Sequence, residues 1–251
     1  MRKNSNVAVL LVALVANAAA PAYADESPSA VPSVYAGVQA LALSGVHRDI
    51  AGNQYGIGAG PLVQVRGGGN RLALGIEGLP VVSIPGTRPS VAYGQATPKL
   101  GIFNGAAEYA VGANRSVWLG LGETVYNQRT PLPAIGQEVS SRLAGLRYVA
   151  RLRGALGDAH FWEGFIGATP TLSGADRFVF LDGAVPATKV ERASEIDASL
   201  ALGWRRGASE WLVGVRTLNF AAKFTATGEA ADRNVGVGLL LEWRRLRAQR
   251  R

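Results

Sequence analysis

Along most of the chain, apolar and polar residues alternate one for one. The pattern is cleanest near the C-terminus. Val235, Val237, Leu239, Leu241 and Trp243 fall on one face there, and Asn234, Gly236, Gly238, Glu242 and Arg244 on the other, with Leu240 the exception. Residues 194–205 repeat it, with Ile196, Ala198, Leu200, Leu202 and Trp204 opposing Glu195, Asp197, Ser199, Gly203 and Arg205. A period of two is that of a β-strand with two unlike faces. Ten such segments stand out, at about 34–44, 54–66, 70–79, 99–112, 115–126, 139–153, 159–169, 193–206, 209–221 and 232–245; the first, fifth and seventh are the least regular. Beyond the N-terminal region no stretch of 18 apolar residues occurs, as a membrane-crossing helix would need, so the pattern predicts an all-β chain.

The links between segments add a second period. Gly67-Gly68-Gly69-Asn70, Ala113-Asn114-Arg115, Gly154 to Asp158 and Gly207-Ala208 are hairpin-sized and rich in residues that tolerate positive φ. Between them come longer links at about 45–53, 80–98, 127–138, 170–192 and 222–231. Short and long links in strict alternation predict an antiparallel up-and-down transmembrane β-barrel of about ten strands, within a range of eight to twelve. Tryptophan agrees with this layout. Trp118, Trp162, Trp204 and Trp211 fall beside short links and Trp243 ends the last strand, so all five lie at the short-turn end, as a periplasmic aromatic girdle would.

The N-terminus predicts export. Arg2 and Lys3 precede an apolar core at Val7–Val15, and Pro21-Ala22-Tyr23-Ala24 offers small residues for cleavage after Ala24. That divides the chain into a signal peptide (1–24), a short N-terminal segment (25–33), the barrel (34–245) and a basic tail (246–251). The chain has no cysteine, which excludes disulfides and thiolate chemistry. Its net charge of +8 falls by two, to about +6, without Arg2 and Lys3, and part of the rest lies in the terminal arginines. That excess reads as a solvated tail and not as a nucleic-acid surface, with an affinity for anionic lipid or cell-wall polymer as the alternative. The expected partner is outer-membrane lipid in a Gram-negative-type cell envelope; oligomeric state is left open.

In a barrel the polar faces turn inward. They carry Glu77, Glu108, Glu163, Glu195, Asp197, Glu210 and Glu242 together with Arg66, Arg71, Arg147, Arg151, Arg153, Arg205, Arg216 and Arg244. Matching faces across 206–208 sets Trp204 opposite Trp211 and Arg205 opposite Glu210, with Asp197 diagonal to Arg216; the link at 154–158 brings Glu163 diagonal to Arg147 and Arg151. Glu108, Arg147, Arg151, Glu163, Asp197, Arg205, Glu210 and Arg216 are therefore the expected lumen charge network, since a guanidinium fork satisfies a carboxylate with two parallel bonds.

The last strand, Gly236-Val237-Gly238-Leu239-Leu240-Leu241-Glu242-Trp243, resembles the assembly signal of bacterial outer-membrane proteins in Gly238, Leu241 and Trp243. The resemblance implies recognition by the outer-membrane assembly machinery. No chemical motif accompanies it. His47, beside Asp49, and His160 are the two histidines, and His47 is the one weighed for hydrolysis. Gly56, Gly58 and Gly60 alternate within a strand pattern and do not precede a helix, so they are not a nucleotide loop. The sequence thus points to a non-enzymatic, porin-like barrel without a cofactor or metal, structural or holding a narrow path for small solutes. The alternatives are surface adhesion through the loops at 80–98 and 170–192 or, behind that, an outer-membrane hydrolase.

Overall fold

A computed structural model describes residues 31–32, 35–49, 52–68, 71–83, 99–132, 136–179, 187–224 and 231–246. The expected signal peptide and the tail at 247–251 lie outside the described residues, as does 84–98 of one long link. The strands are β1 (Tyr35–Asp49), β2 (Gly52–Gly68), β3 (Leu72–Ser83), β4 (Lys99–Val111), β5 (Val117–Leu132), β6 (Gln137–Ala155), β7 (His160–Thr169), β8 (Ser173–Val179), β9 (Ala187–Arg206), β10 (Ser209–Phe224) and β11 (Ala231–Leu246). Each pairs antiparallel with its neighbours, and β11 returns to β1 with Tyr35 opposite Leu246, which closes the sheet.

Strands β7 and β8 form one stave, because both pair with β6 and with β9. Pro170, which has no N–H for the ladder, interrupts it. The register against β6 slips by one residue across the break, from Tyr148 opposite Ala168 to Ala144 opposite Ser173. The result is a ten-stave up-and-down barrel, with one stave for each alternating segment of the sequence.

Staves run further at the long-link end than the alternation shows. Strands β1 and β2 pair as far as Asp49 opposite Gly52, and β5 and β6 as far as Leu132 opposite Gln137. The expected loops at 45–53 and 127–138 are therefore mostly strand, and 170–192 contains β8 and the start of β9. Their prolines, glycines and polar residues had marked them as loops; the pairing partner overrides that local preference. At the other end the turns are tight. Gly112 and Arg115 adopt positive φ (84° and 54°) in one turn, and Gly207 (60°) in another.

Outside, the wall is apolar. Leu72, Leu74 and Ile76 on β3, Leu119 and Leu121 on β5, Leu200 and Leu202 on β9, and Leu239 and Leu241 on β11 are all exposed, Leu239 to 74%. Inside are the charges, such as Glu108, Arg147, Asp197 and Glu242, each at most 3% exposed. This inverts a water-soluble protein. A belt of exposed leucines around a closed ladder is stable in a bilayer, where hydrocarbon covers the belt and no backbone group is left for absent water to satisfy.

Glycine allows the wall to coil tightly at one seam. A Cβ on Gly122 would stand 1.7 Å from the Gly105 carbonyl oxygen, whereas a Cβ on Gly105 would meet nothing within 4 Å. Gly122→Ala is expected to destabilise the barrel by about 2 kcal/mol or more, and Gly105→Ala by far less. Urea unfolding in lipid vesicles, followed by heat-modifiable gel migration, measures the difference.

Candidate functional site

Alternation in the staves aims the even residues of β4, β5, β10 and β11, and the odd residues of β6 and β9, into the lumen. The interior they build has three layers. At the long-link end Ile102, Tyr126, Leu143, Leu172, Leu218 and Phe220 form an apolar roof, with Tyr126 and Phe220 stacked at 4.0 Å. Leu172 reaches that roof because the break between β7 and β8 turns it inward. At the short-turn end Trp118 packs with Val31, Ala73 and Ala110, while Phe161 packs with Ala201, Leu212 and Leu240. The N–H of Val31 donates to the Arg115 carbonyl at 3.2 Å, which ties the N-terminal segment into this floor.

Between floor and roof lies a charged layer that stitches opposite walls together. Arg244 of β11 grips Glu163 of β7 through both Nη atoms, at 2.8 and 2.7 Å. Arg153 of β6 does the same to Glu210 of β10, at 3.1 and 2.5 Å, and Arg205 adds Nε and Nη2 to that carboxylate at 2.9 and 2.7 Å. Arg216 of β10 binds both oxygens of Asp197 and reaches across the lumen to Glu77 of β3 at 2.5 Å. Arg147 spans Glu195 and Asp197 at 3.1 Å each. Arg66 holds Glu108 at 2.6 Å, and Arg151 holds Glu163 at 3.1 Å. Gln39 links the layer's two halves, donating to Glu242 at 2.8 Å and accepting from Arg216 at 3.0 Å.

The groups match in number. Arg66, Arg147, Arg151, Arg153, Arg205, Arg216 and Arg244 face Glu77, Glu108, Glu163, Glu195, Asp197, Glu210 and Glu242, so the described lumen is neutral. Aromatic faces hold several guanidiniums from below or beside. Arg153 lies 3.4 Å over the Phe161 ring, Arg66 lies 4.4 Å over Trp118, and Arg244 lies 4.6 Å over Tyr35. Glycine makes the room. A Cβ on Gly167 would meet the Arg147 guanidinium at 2.2 Å, and one on Gly203 the Phe161 ring at 2.3 Å. Among the openings left between the described residues are a cavity of about 30 Å³ beside Gln64, Arg66, Glu77, Asn104, Glu108 and Arg151, and one of about 10 Å³ beside Gln39, Ser199, Arg216 and Glu242. At roughly 10–15 Å³ per water, the larger one holds about two waters.

All eight residues of the expected network lie in this layer. Arg205 pairs with Glu210 in register, as the short turn implied, and Asp197 is diagonal to Arg216. Two details differ. Glu163 stands directly opposite Arg153, and Arg147, expected near it, goes instead to Glu195 and Asp197. Arg71 is exposed at a turn and takes no part in the lumen. The neutral bridges Gln39, Thr124 and Thr169 went unnoticed in the sequence, and Gln64 and Asn104, on its polar faces, were not counted into the network. Their inward phase was the available signal, and in β1 it is masked by the alanines and leucines around Gln39.

The girdle needs one correction. Trp162, Trp204, Trp211 and Trp243 point outward at the short-turn end, but Trp118 is fully buried inside. Its Nε1 donates to the Arg115 carbonyl at 2.9 Å. Leu119 and Leu121 hold the outward phase of β5, which sends Trp118 inward. In the segment resembling an assembly signal, Leu241 and Trp243 face outward and Gly238 stands opposite Leu43 of β1 and Arg216 of β10. His160 is exposed beside Trp204, and His47 lies in β1 opposite Gln54, not in a loop.

No protein-family model matches the chain, and no curated protein matches its sequence. Solved structures do match in fold. The outer-membrane protease OmpT from Escherichia coli superposes with a TM-score of 0.51 at 10% identity, over 86% of this chain and 97% of that one. Neisserial surface protein A gives a TM-score of 0.36 at 12% identity, over 84% and 96% of the two chains. The Pseudomonas putida toluene transporter TodX gives 0.34 at 8% identity, over 86% and 90%. The architecture is that of bacterial outer-membrane β-barrels.

Glu163 touches three guanidiniums of the lumen, those of Arg151, Arg153 and Arg244. Glu163→Ala leaves three buried guanidiniums facing one another and is expected to cost about 3–5 kcal/mol of stability. Glu123, exposed on the outer wall, serves as the control. Its replacement by alanine should leave stability unchanged or slightly raised in the same urea titration.

Proposed function

We propose that this chain works in the outer membrane as a closed, non-conducting barrel, a rigid frame that holds extended hairpins beyond the bilayer. The observation that carries the reading is the charged layer. Its ion pairs join β10 to β3, β11 to β7 and β6 to β10, so they cross the lumen from several directions, and the cavities they leave among the described residues are small, about 30 and 10 Å³. A ten-stave barrel is little wider than the eight-stave case, in which side chains fill the interior, and fourteen charged side chains under an aromatic roof fill this one.

Stave length supports the second half of the proposal. A tilted strand crosses the hydrocarbon in roughly 9–11 residues. Strand β6 has 19 residues and β9 has 20. The surplus lies at the long-link end, where the hairpins β1–β2 and β5–β6 continue as paired ladders and offer a surface for another molecule. A hydrolytic role, which the likeness to a protease brings up, would rest on His47 and Asp49 near the far end of β1. It could not draw on the lumen carboxylates, each of which is bound to a guanidinium.

Planar-bilayer recording of the refolded protein tests the closed lumen. The wild type is expected to show no stable conductance steps, and Arg216→Ala combined with Glu163→Ala to show flickering openings. Large, steady steps from the wild type would refute the reading. Trimming β5–β6 back to the Asn127–Arg142 pair should leave the barrel folded and closed.

A further inference from the structure

The outer face of the short-turn end is unlike the rest of the rim. Across β9, β10 and β11 the register sets Trp204, Trp211 and Trp243 side by side, and the rings of Trp211 and Trp243 lie 6.5 Å apart. One step nearer the strand ends, the same register lines up Arg206, Ser209 and Arg245. Arg206 and Arg245 keep the outward phase of Trp204 and Trp243, and both are exposed. Among the described residues neither meets a carboxylate, in contrast to the paired arginines of the lumen. On β3 to β6 the outward positions at this end are Leu72, Val111, Val117 and Leu152, with no tryptophan. Three further arginines, at 247, 250 and 251, follow β11 in the sequence.

We infer that this patch binds an anionic phospholipid of the leaflet that meets the short-turn end. Short turns face the periplasm in barrels of this architecture, so the leaflet is the periplasmic one. Arg206 and Arg245 stand on the two strands flanking β10, about 10 Å apart, within reach of one headgroup phosphate over Ser209. The tryptophan row lies about 5 Å deeper along the tilted strands, at the interfacial depth these rings prefer. Above it, Leu202, Val213 and Leu241 are exposed to receive the acyl chains. Charge and apolar contact thus occur in one column on the wall, which suits an amphiphile. A soluble polyanion would use the guanidiniums and leave the tryptophans idle. The pairing also selects among lipids, because a zwitterionic headgroup brings its own ammonium against the same arginines.

Tryptophan quenching tests the assignment. The barrel is refolded in phosphatidylcholine vesicles containing a small fraction of dibrominated phosphatidylglycerol or, in parallel, of dibrominated phosphatidylcholine. The expected result is stronger quenching by the anionic lipid, equivalent to about fivefold or greater enrichment at the wall. The Arg206→Gln/Arg245→Gln double variant should fold with unchanged heat-modifiable migration and lose the preference, and deletion of 247–251 should leave most of it. Equal quenching by the two lipids in the wild type would overturn the proposal. So would a preference that survives the double variant, or one abolished by the deletion alone. Retention on isolated peptidoglycan that depends on Arg206 and Arg245, without a lipid preference, would assign the patch to the cell wall and overturn it too.

Discussion

A peptide group within hydrocarbon finds no water to bond to, so a chain of strands crosses a bilayer by closing its ladder on itself. Most of the architecture follows from that closure. Leu246 meets Tyr35, all staves pair antiparallel, and the side chains are divided strictly between lipid and lumen. Closure also fixes the bore. Ten staves enclose a space that side chains can fill, and once the outer positions have taken the leucines, the inner ones hold whatever polar groups can satisfy one another.

Seven arginines against seven carboxylates meet most of that condition, several of them more than once, while Arg66 Nε and Nη2 and Glu195 Oε2 are left without a hydrogen-bond partner. Glu163 and Glu210 each serve several guanidiniums, and Arg216 serves carboxylates on two walls. Such pairs contribute little net stability against an apolar filling of the same shape, but breaking one is severe, because it leaves a charge buried and alone. The network therefore acts mainly as a constraint on shape. It holds the walls together under the Tyr126–Phe220 stack, and on the proposed reading it closes the lumen to solutes.

The strands were legible in the sequence because a period of two is local. The pairing of Arg205 with Glu210, and of Trp204 with Trp211, was legible because a two-residue turn at Gly207-Ala208 leaves one register. Contacts such as Arg244 with Glu163 or Arg216 with Glu77 join residues 81 and 139 positions apart, and they exist only once the barrel has closed. No local signal contains them. Trp118 was misplaced for a different reason. Small residues at Gly120 and Gly122 weaken the inward signal of β5, so its phase had to be taken from the leucines between them. The prolines and glycines of 170–192 hid β8, whose conformation depends on β6 and β9 on either side.

The central claim is that the lumen is filled and shut. Thr124 is fully buried at its middle, bonded to Asn104 and Thr169 at 2.9 Å each. The chain has no cysteine of its own, so Thr124→Cys introduces a single thiol of nearly the same size. A small water-soluble thiol reagent, applied to the folded barrel from both sides, should fail to modify it until the protein is unfolded. Leu239→Cys, on the outer wall, should react with a membrane-soluble maleimide. Rapid modification of Thr124→Cys in the folded protein would contradict the closed lumen directly.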